Sequence, residues 1–384
     1  MFNNRAVLHA FVAAGVGRLS FSTIGLALLL ATEQATGSFA VAGLALGVFG
    51  VASVAAPVKA RLIDRLGARR MLPLLAAGYA AALLLTCYFD GLHVPAAAVA
   101  GLTAPPLGST MRAVWAQLLP DPADRQRAYS LDAVVEEVLF AAGPLLVGVI
   151  VLWSTPDTAL VLCAGLMVVG TGTLVTSSAV PKPVTVKRDS HWAGPLRGRG
   201  FRVLVAVEFA VGLGCGPVEV AVAAKAEVAG QPAAAGYLLA AMAVGSAIGG
   251  LVWGRVKHGR RTSVILALLL TVLTTSVTVA SFVPSLPALG VVLAALGLAS
   301  APALVVAWLA ADELAPETAR LEANAWVTTA ANLGVSFGAM LAGLVIQHST
   351  AGLSLAGGAG VLALTTLAVA VSGRSLDRVI KPVS

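Results

Sequence analysis

The chain has 384 residues, of which 58% are hydrophobic and 11% charged, whereas a soluble domain carries roughly a quarter charged residues. So much apolar surface cannot be buried in a water-soluble core of this length, so lipid is the solvent for most of it and a soluble globular protein is excluded. The net charge of +7 would point to an acidic partner in a soluble protein, but here it follows the loops and reads as membrane topology, with no nucleic-acid partner expected.

Twelve apolar stretches of about 20 residues, the length a helix needs to cross the hydrocarbon, are predicted near 7–31, 38–58, 71–90, 95–118, 128–152, 158–180, 202–224, 232–254, 263–284, 287–310, 322–346 and 351–372. The first begins almost at the N-terminus and is long, which suits an uncleaved span. The expected fold is an all-α integral membrane protein of two pseudo-symmetric six-helix bundles. Residues 1–180 form the first and 202–384 the second, joined by a polar, basic linker over 181–201. Cys87, Cys163 and Cys215 each lie inside an apolar run, and none forms a C-x-x-C pair. They read as small buried hydrophobes, so no metal site is expected.

Span one carries Arg18 about 12 residues in, roughly 18 Å deep at 1.5 Å per residue. An intramembrane charge costs on the order of 2.5–3.5 kcal/mol by insertion scales, so each such residue is a candidate for function. Between spans two and three runs a basic loop with Lys59, Arg61, Asp64, Arg65, Gly67, Arg69 and Arg70. Span four contains Pro105 and Pro106, which are expected to kink it. It also contains Arg112, which either snorkels to the interface or pairs with Asp132.

Span five holds Asp132, Glu136 and Glu137, the latter two about 15 Å deep and level with Arg18. Asp132 and Glu136 share one face at i, i+4, while Glu137 points about 100° away. A carboxylate at that depth can take up and release a proton as access alternates, and Glu136 is the favoured carrier. The plainer alternative is a static network of Arg18 with one glutamate that locks helices together. Gly143, Pro144 and Gly148 follow in the same span as packing and bending positions. Span seven adds Glu208 and Glu219, the latter beyond a Gly-rich run from Gly212 to Pro217 that can bend or unwind. Pro302 in span ten matches the span-four prolines, and Gly338 in span eleven matches Gly143. These two glycines are expected to serve close packing between spans that meet across the halves. Trp115, Trp308 and Trp326 read as interface anchors.

With the N-terminus inside, nearly every Lys and Arg outside the spans falls on the cytoplasmic side, leaving only Lys225 opposite. That asymmetry predicts cytoplasmic N- and C-termini. Abundant alanine and an excess of arginine over lysine suit a bacterial genome, so the expected location is the bacterial cytoplasmic membrane.

The second half repeats the first at an offset of about 195 residues. The basic run from Ala60 to Arg70 returns, shortened, as Gly254 to Arg261. Pro122, Arg125 and Ala128 return as Pro316, Arg320 and Ala323. Gly143-Pro144-x-x-x-Gly148 returns as Gly338-Ala339-x-x-x-Gly343. Such a repeat in a membrane chain is the pattern of a secondary transporter.

The run Leu62 to Arg70 resembles the G-x-L-x-D-R-x-G-[RK]-[RK] loop, "motif A", of the major facilitator superfamily, with Ala60 at the first glycine and no Asp-Arg pair in the second-half echo. Gly143-Pro144-x-x-x-Gly148 resembles in part the "motif C" of its drug and proton antiporters. Leu139 stands at the upstream glycine, and the "motif B" arginine is replaced by Ala97 before Gly101. The resemblance implies the twelve-helix fold, a monomer, and gating by Asp64, Arg65, Gly67, Arg69 and Arg70. In the superfamily such an aspartate meets the N-terminus of span eleven, here near Leu321–Ala323, where unpaired backbone N–H groups stabilise a carboxylate.

The sequence has no G-x-x-x-x-G-K-[ST] and no His/Cys cluster, so neither ATP-driven transport nor an intramembrane enzyme is expected. The leading expectation is a proton-driven exporter of small lipophilic molecules, such as drugs or secondary metabolites. Its partners would be substrate, protons and lipid, with the proton gradient in place of any cofactor. Proton-coupled import of a polar nutrient, or a non-transporting sensor with the same fold, are the alternatives.

Overall fold

The computed structural model describes residues 5–89, 91–180, 194–231, 234–256 and 262–372. Most of the expected linker (181–193) and the end of the shortened basic echo (257–261) lie outside the described residues. Among the described residues the fold is all-α, with no strand. This is what lipid demands, because a helix satisfies every backbone group within its own segment.

In chain order the helices are α1 (Arg5–Thr36), α2 (Phe39–Ser53), α3 (Ala56–Leu66), α4 (Ala68–Tyr88), α5 (His93–Thr103), α6 (Leu107–Leu118), α7 (Pro122–Trp153) and α8 (Pro156–Thr176). Then follow α9 (Arg199–Cys215), α10 (Pro217–Val228), α11 (Ala234–Trp253), α12 (Thr262–Phe282), α13 (Leu286–Leu314), α14 (Arg320–His348) and α15 (Ala351–Ser372).

Among the described residues, ten segments are each long and apolar enough to cross a membrane, α9 and α10 counting as one, and α2 with α3 makes an eleventh bent by 43°. The remaining expected span, the fourth, is split into α5 and α6 by Ala104, Pro105 and Pro106. Two adjacent prolines remove two ladder donors and push the preceding residues out of the helical region, and Ala104 sits at φ −52°, ψ 116°. Pro144 and Pro302, each alone, lie inside uninterrupted helices.

The chain divides into two compact units, Met1–Leu119 with Val135–Asp189, and Pro120–Val134 with Ser190–Ser384. The first thirteen residues of α7, Pro122–Val134, therefore belong to the second unit, although by sequence they belong to the first repeat. Within the first unit α1 packs on α8, α2 on α5, and α4 on α5 and α8. Within the second, the repeat-equivalent helices pair likewise: α9 with α15, α11 with α13, and α12 with α13 and α15. Large apolar side chains such as Leu44, Val51, Leu74, Leu145 and Leu152 are exposed on the helix surfaces, as expected where lipid is the solvent. Alanine and glycine fill the contacts between helices.

Candidate functional site

The first unit brings three intramembrane charges together. Gly17 of α1 and Gly170 of α8 bring their backbones together so closely that a Cβ on Gly170 would strike the Gly17 main chain. This leaves the next residue, Arg18, fixed and buried. One turn on, the Ser22 carbonyl meets Gly143 of α7 at a separation with no room for a side chain. Seven residues before Gly143 stands Glu136, whose Oε2 lies 2.9 Å from Arg18 Nη2 and 3.6 Å from Arg112 Nη1. Arg112 reaches that carboxylate from α6, lying back over Gly108, and its side chain is 1% exposed against 25% for Glu136.

Two guanidiniums thus converge on one oxygen of a half-buried carboxylate. Such a cluster tolerates low dielectric only while it stays paired. Removing or protonating Glu136 weakens its contacts with both guanidiniums. Glu137, on the neighbouring face, is half-buried, and Asp132 is fully buried. Beside this cluster Ser20 donates to the Cys163 carbonyl at 2.7 Å and pairs with the Tyr79 hydroxyl at 3.2 Å.

The basic loop turns at Gly67, whose φ of +92° favours a residue without a Cβ. Its N–H closes α3 on the Ile63 carbonyl at 2.9 Å. Arg69 donates to the carbonyls of Ser177 at 3.1 Å and Val180 at 3.5 Å, just beyond the end of α8. Asp64 is half-buried, while Arg65 and Arg70 are exposed. Lys59 departs from the loop reading. It is 7% exposed, inside α3, and its Nζ donates to the Gly101 carbonyl at 2.9 Å.

In the second unit Glu208 is buried in α9 and Glu219 is exposed in the first turn of α10. The Gly-rich run between them does not unwind, since Gly216 keeps φ −53° and ψ −35°. Its glycines serve contact instead. Gly212 of α9 and Gly216, between α9 and α10, interlock with Gly334 and Gly338 of α14, each against a facing carbonyl. Gly143 and Gly338, expected to pack between the halves, thus each make their closest approach inside a single unit, while Gly148 has open space around it. Trp115 and Trp308 are fully buried and packed against Phe11 and Tyr129 respectively, so they are not interface anchors.

Asp312, two residues past the expected end of span ten, is a buried acid that sequence reasoning missed. The Tyr129 hydroxyl donates to its Oδ2, the Asn324 amide donates to Oδ1 at 2.8 Å, and Arg125 Nη1 lies 4.0 Å away. The signal was present in the repeat: Arg125 and Tyr129 match Arg320 and Asn324 at the shared offset. Among the described residues no three His, Cys, Asp or Glu side chains gather as metal ligands.

The family model described as Major Facilitator Superfamily matches residues 10–218 and again 204–379. No curated protein matches the sequence. Among solved structures, the human organic anion transporter MFSD10 (TETRAN) superposes with a TM-score of 0.75 at 17% identity, over 95% of this chain and 99% of that one. An outward-facing bacterial homologue of the iron transporter ferroportin gives 0.77 at 13% identity, over 96% of this chain and 100% of that one. At such identities the likeness shows the fold.

Proposed function

Because the chain belongs to the major facilitator superfamily of membrane transporters, we propose that it exports small lipophilic molecules, drugs or secondary metabolites, in exchange for protons by alternating access. The observation that carries this reading is the Glu136 carboxylate between Arg18 and Arg112. Ionised, Glu136 offsets one of the two guanidinium charges and pairs with both; protonated, it weakens both pairs and frees the cluster to rearrange. A proton taken up on one side and released on the other is thereby tied to a change in helix packing. Asp64 and the Gly67 turn act as the gate, with Asp64 meeting a helix N-terminus in one state of the cycle. The chain sits in the bacterial cytoplasmic membrane with both termini inside, works as a monomer and draws on the proton gradient with no bound cofactor.

The same two guanidiniums favour a second reading, export of an organic anion whose acid group replaces Glu136 once that residue is protonated. MFSD10 is by its description an organic anion transporter, which agrees with it.

The test is a pH-sensitive dye in energised everted vesicles challenged with lipophilic cations, antibiotics, lipophilic anions, sugars and amino acids. Substrate-triggered proton release is expected, and it is expected to vanish in Glu136→Gln. A response to anions alone selects the second reading. Proton release that persists in Glu136→Gln, Glu137→Gln and the double variant refutes span-five coupling. Asp64→Asn is expected to insert normally and to lose most of the flux, and wild-type flux in that variant removes the gate.

A further inference from the structure

Two neighbouring spans of the first unit are interrupted, and one lysine joins them at the interruptions. Span two bends by 43° between α2 and α3, at Val54 and Ala55. Span four breaks between α5 and α6, at Ala104 to Pro106. The outer segments α2 and α5 are seated backbone against backbone, because Gly101 presses on the Phe49 carbonyl and leaves no room for a Cβ. Neither can tilt at its break without carrying the other.

The break leaves a specific chemical debt. In an α-helix the Gly101 carbonyl accepts from the N–H of residue 105, and Pro105 has none. An unsatisfied carbonyl inside a membrane protein is costly, because no water is there to take its place. Lys59 meets it: its side chain runs from α3, beyond the bend, and Nζ donates to the Gly101 carbonyl at 2.9 Å. Burying a lysine is itself expensive, so a leucine and a single proline would have made a cheaper bundle. The arrangement keeps span four open and ties its outer segment to the inner segment of span two through one donor.

We propose that Lys59 is a positioning residue of the transport cycle, the pin of a hinge about which α2 and α5 tilt together relative to α3 and α6. Tilting keeps the α2–α5 contact intact and is limited by the reach of the lysine. The proposal rests on the transporter reading of the chain and is independent of which ion or substrate moves.

The experiment measures motion at the break. Cys87, Cys163 and Cys215 are replaced, and nitroxide labels are placed at Val99 on α5 and Leu118 on α6, both exposed. Pulsed dipolar spectroscopy on the full chain in lipid nanodiscs then gives the width of the distance distribution. Lys59→Met keeps the apolar stem and removes the donor. Pro105→Ala restores an N–H to residue 105 and leaves one proline, which α13 shows this fold accommodates within a helix. The expected order of widths is Lys59→Met broadest, at least twice the wild type, then wild type, then Pro105→Ala and the Lys59→Met/Pro105→Ala double variant, equal and narrowest. A merely structural tie would leave Pro105→Ala at the wild-type width, and that result overturns the hinge. Unchanged width in Lys59→Met overturns the pin, as does a double variant that stays as broad as Lys59→Met. Should Lys59→Met alone fail to fold, the double variant is expected to fold, and its failure counts against the proposal equally.

Discussion

Spans two and four differ from their repeat partners, spans eight and ten, in how they are held together. α11 and α13 are continuous helices joined by three glycines. Gly245 faces the Ala294 carbonyl, Gly249 the Leu298 carbonyl and Gly297 the Met242 carbonyl, each too close for a Cβ. In the matching pair of the first unit, Gly43, Gly47 and Gly50 of α2 face open space, and of the glycines in α2 and α5 Gly101 alone makes such a contact. Where the second unit's pair has a seam of three such glycine contacts, the first unit's pair has one, with two breaks and a buried lysine. On the hinge proposed above, the pair with the glycine seam is the stiff one and the pair with the two breaks is the one that moves.

The largest effect is expected where residues of both repeats meet one acid. Arg125 with Tyr129, and Asn324 from the matching position of the other repeat, address the Asp312 carboxylate. Asp312→Ala removes the buried acceptor shared by the Tyr129 hydroxyl and the Asn324 amide, together with the carboxylate charge 4.0 Å from Arg125, a loss on the order of 3 kcal/mol. The unfolding midpoint in detergent, followed by tryptophan fluorescence, is expected to fall steeply. Tyr129→Phe removes one neutral donor and is expected to cost about 1 kcal/mol. If Asp312→Ala costs no more than Tyr129→Phe, the acid is not the centre of that network.

Next comes the seam itself. Gly249→Leu forces a side chain into a backbone contact and is expected to cost about 1–3 kcal/mol or to prevent assembly. Gly47→Leu, on the exposed face of α2, is expected to stay within about 0.5 kcal/mol. Thermal unfolding of the two variants side by side decides it. Equal shifts would mean that α2 is packed as firmly as α11, and the contrast between the halves would dissolve.

What was legible in the sequence was whatever lipid enforces. Apolar runs of spanning length gave the helices, and counting residues along spans one and five brought Arg18 and Glu136 to one depth, where the structure pairs them. Side-chain contacts between helices were not legible. Lys59 stands two residues before a run of loop-like arginines and was grouped with them, because no local pattern reveals a carbonyl freed by a proline 46 positions later. Asp312 fell just outside a span whose helix continues to Leu314. The Gly-rich run before Glu219 has the composition of a flexible segment, yet each of its contacts is with α14 or α15, and close packing holds it helical. Glycine in a membrane helix marks either a bend or a contact, and only the neighbouring helix tells which.

The smallest expected effect is the sharpest test of the contrast. Pro302 frees the Leu298 carbonyl in α13 as Pro105 frees Gly101 in α5, but the Leu298 carbonyl lies against the Gly249 backbone. A Cα–H group in such a contact supplies about half the strength of an ordinary hydrogen bond without any side chain. Restoring an N–H with Pro302→Ala therefore adds a donor to an acceptor already occupied, inside a helix already continuous. The unfolding midpoint is expected to move by less than about 0.5 kcal/mol equivalent, and labels placed on α13 either side of residue 302 are expected to keep their distance distribution. Narrowing of that distribution, as expected for Pro105→Ala across span four, would mean that span ten flexes too. The two halves would then share one mechanism, and the asymmetry would be one of packing detail alone.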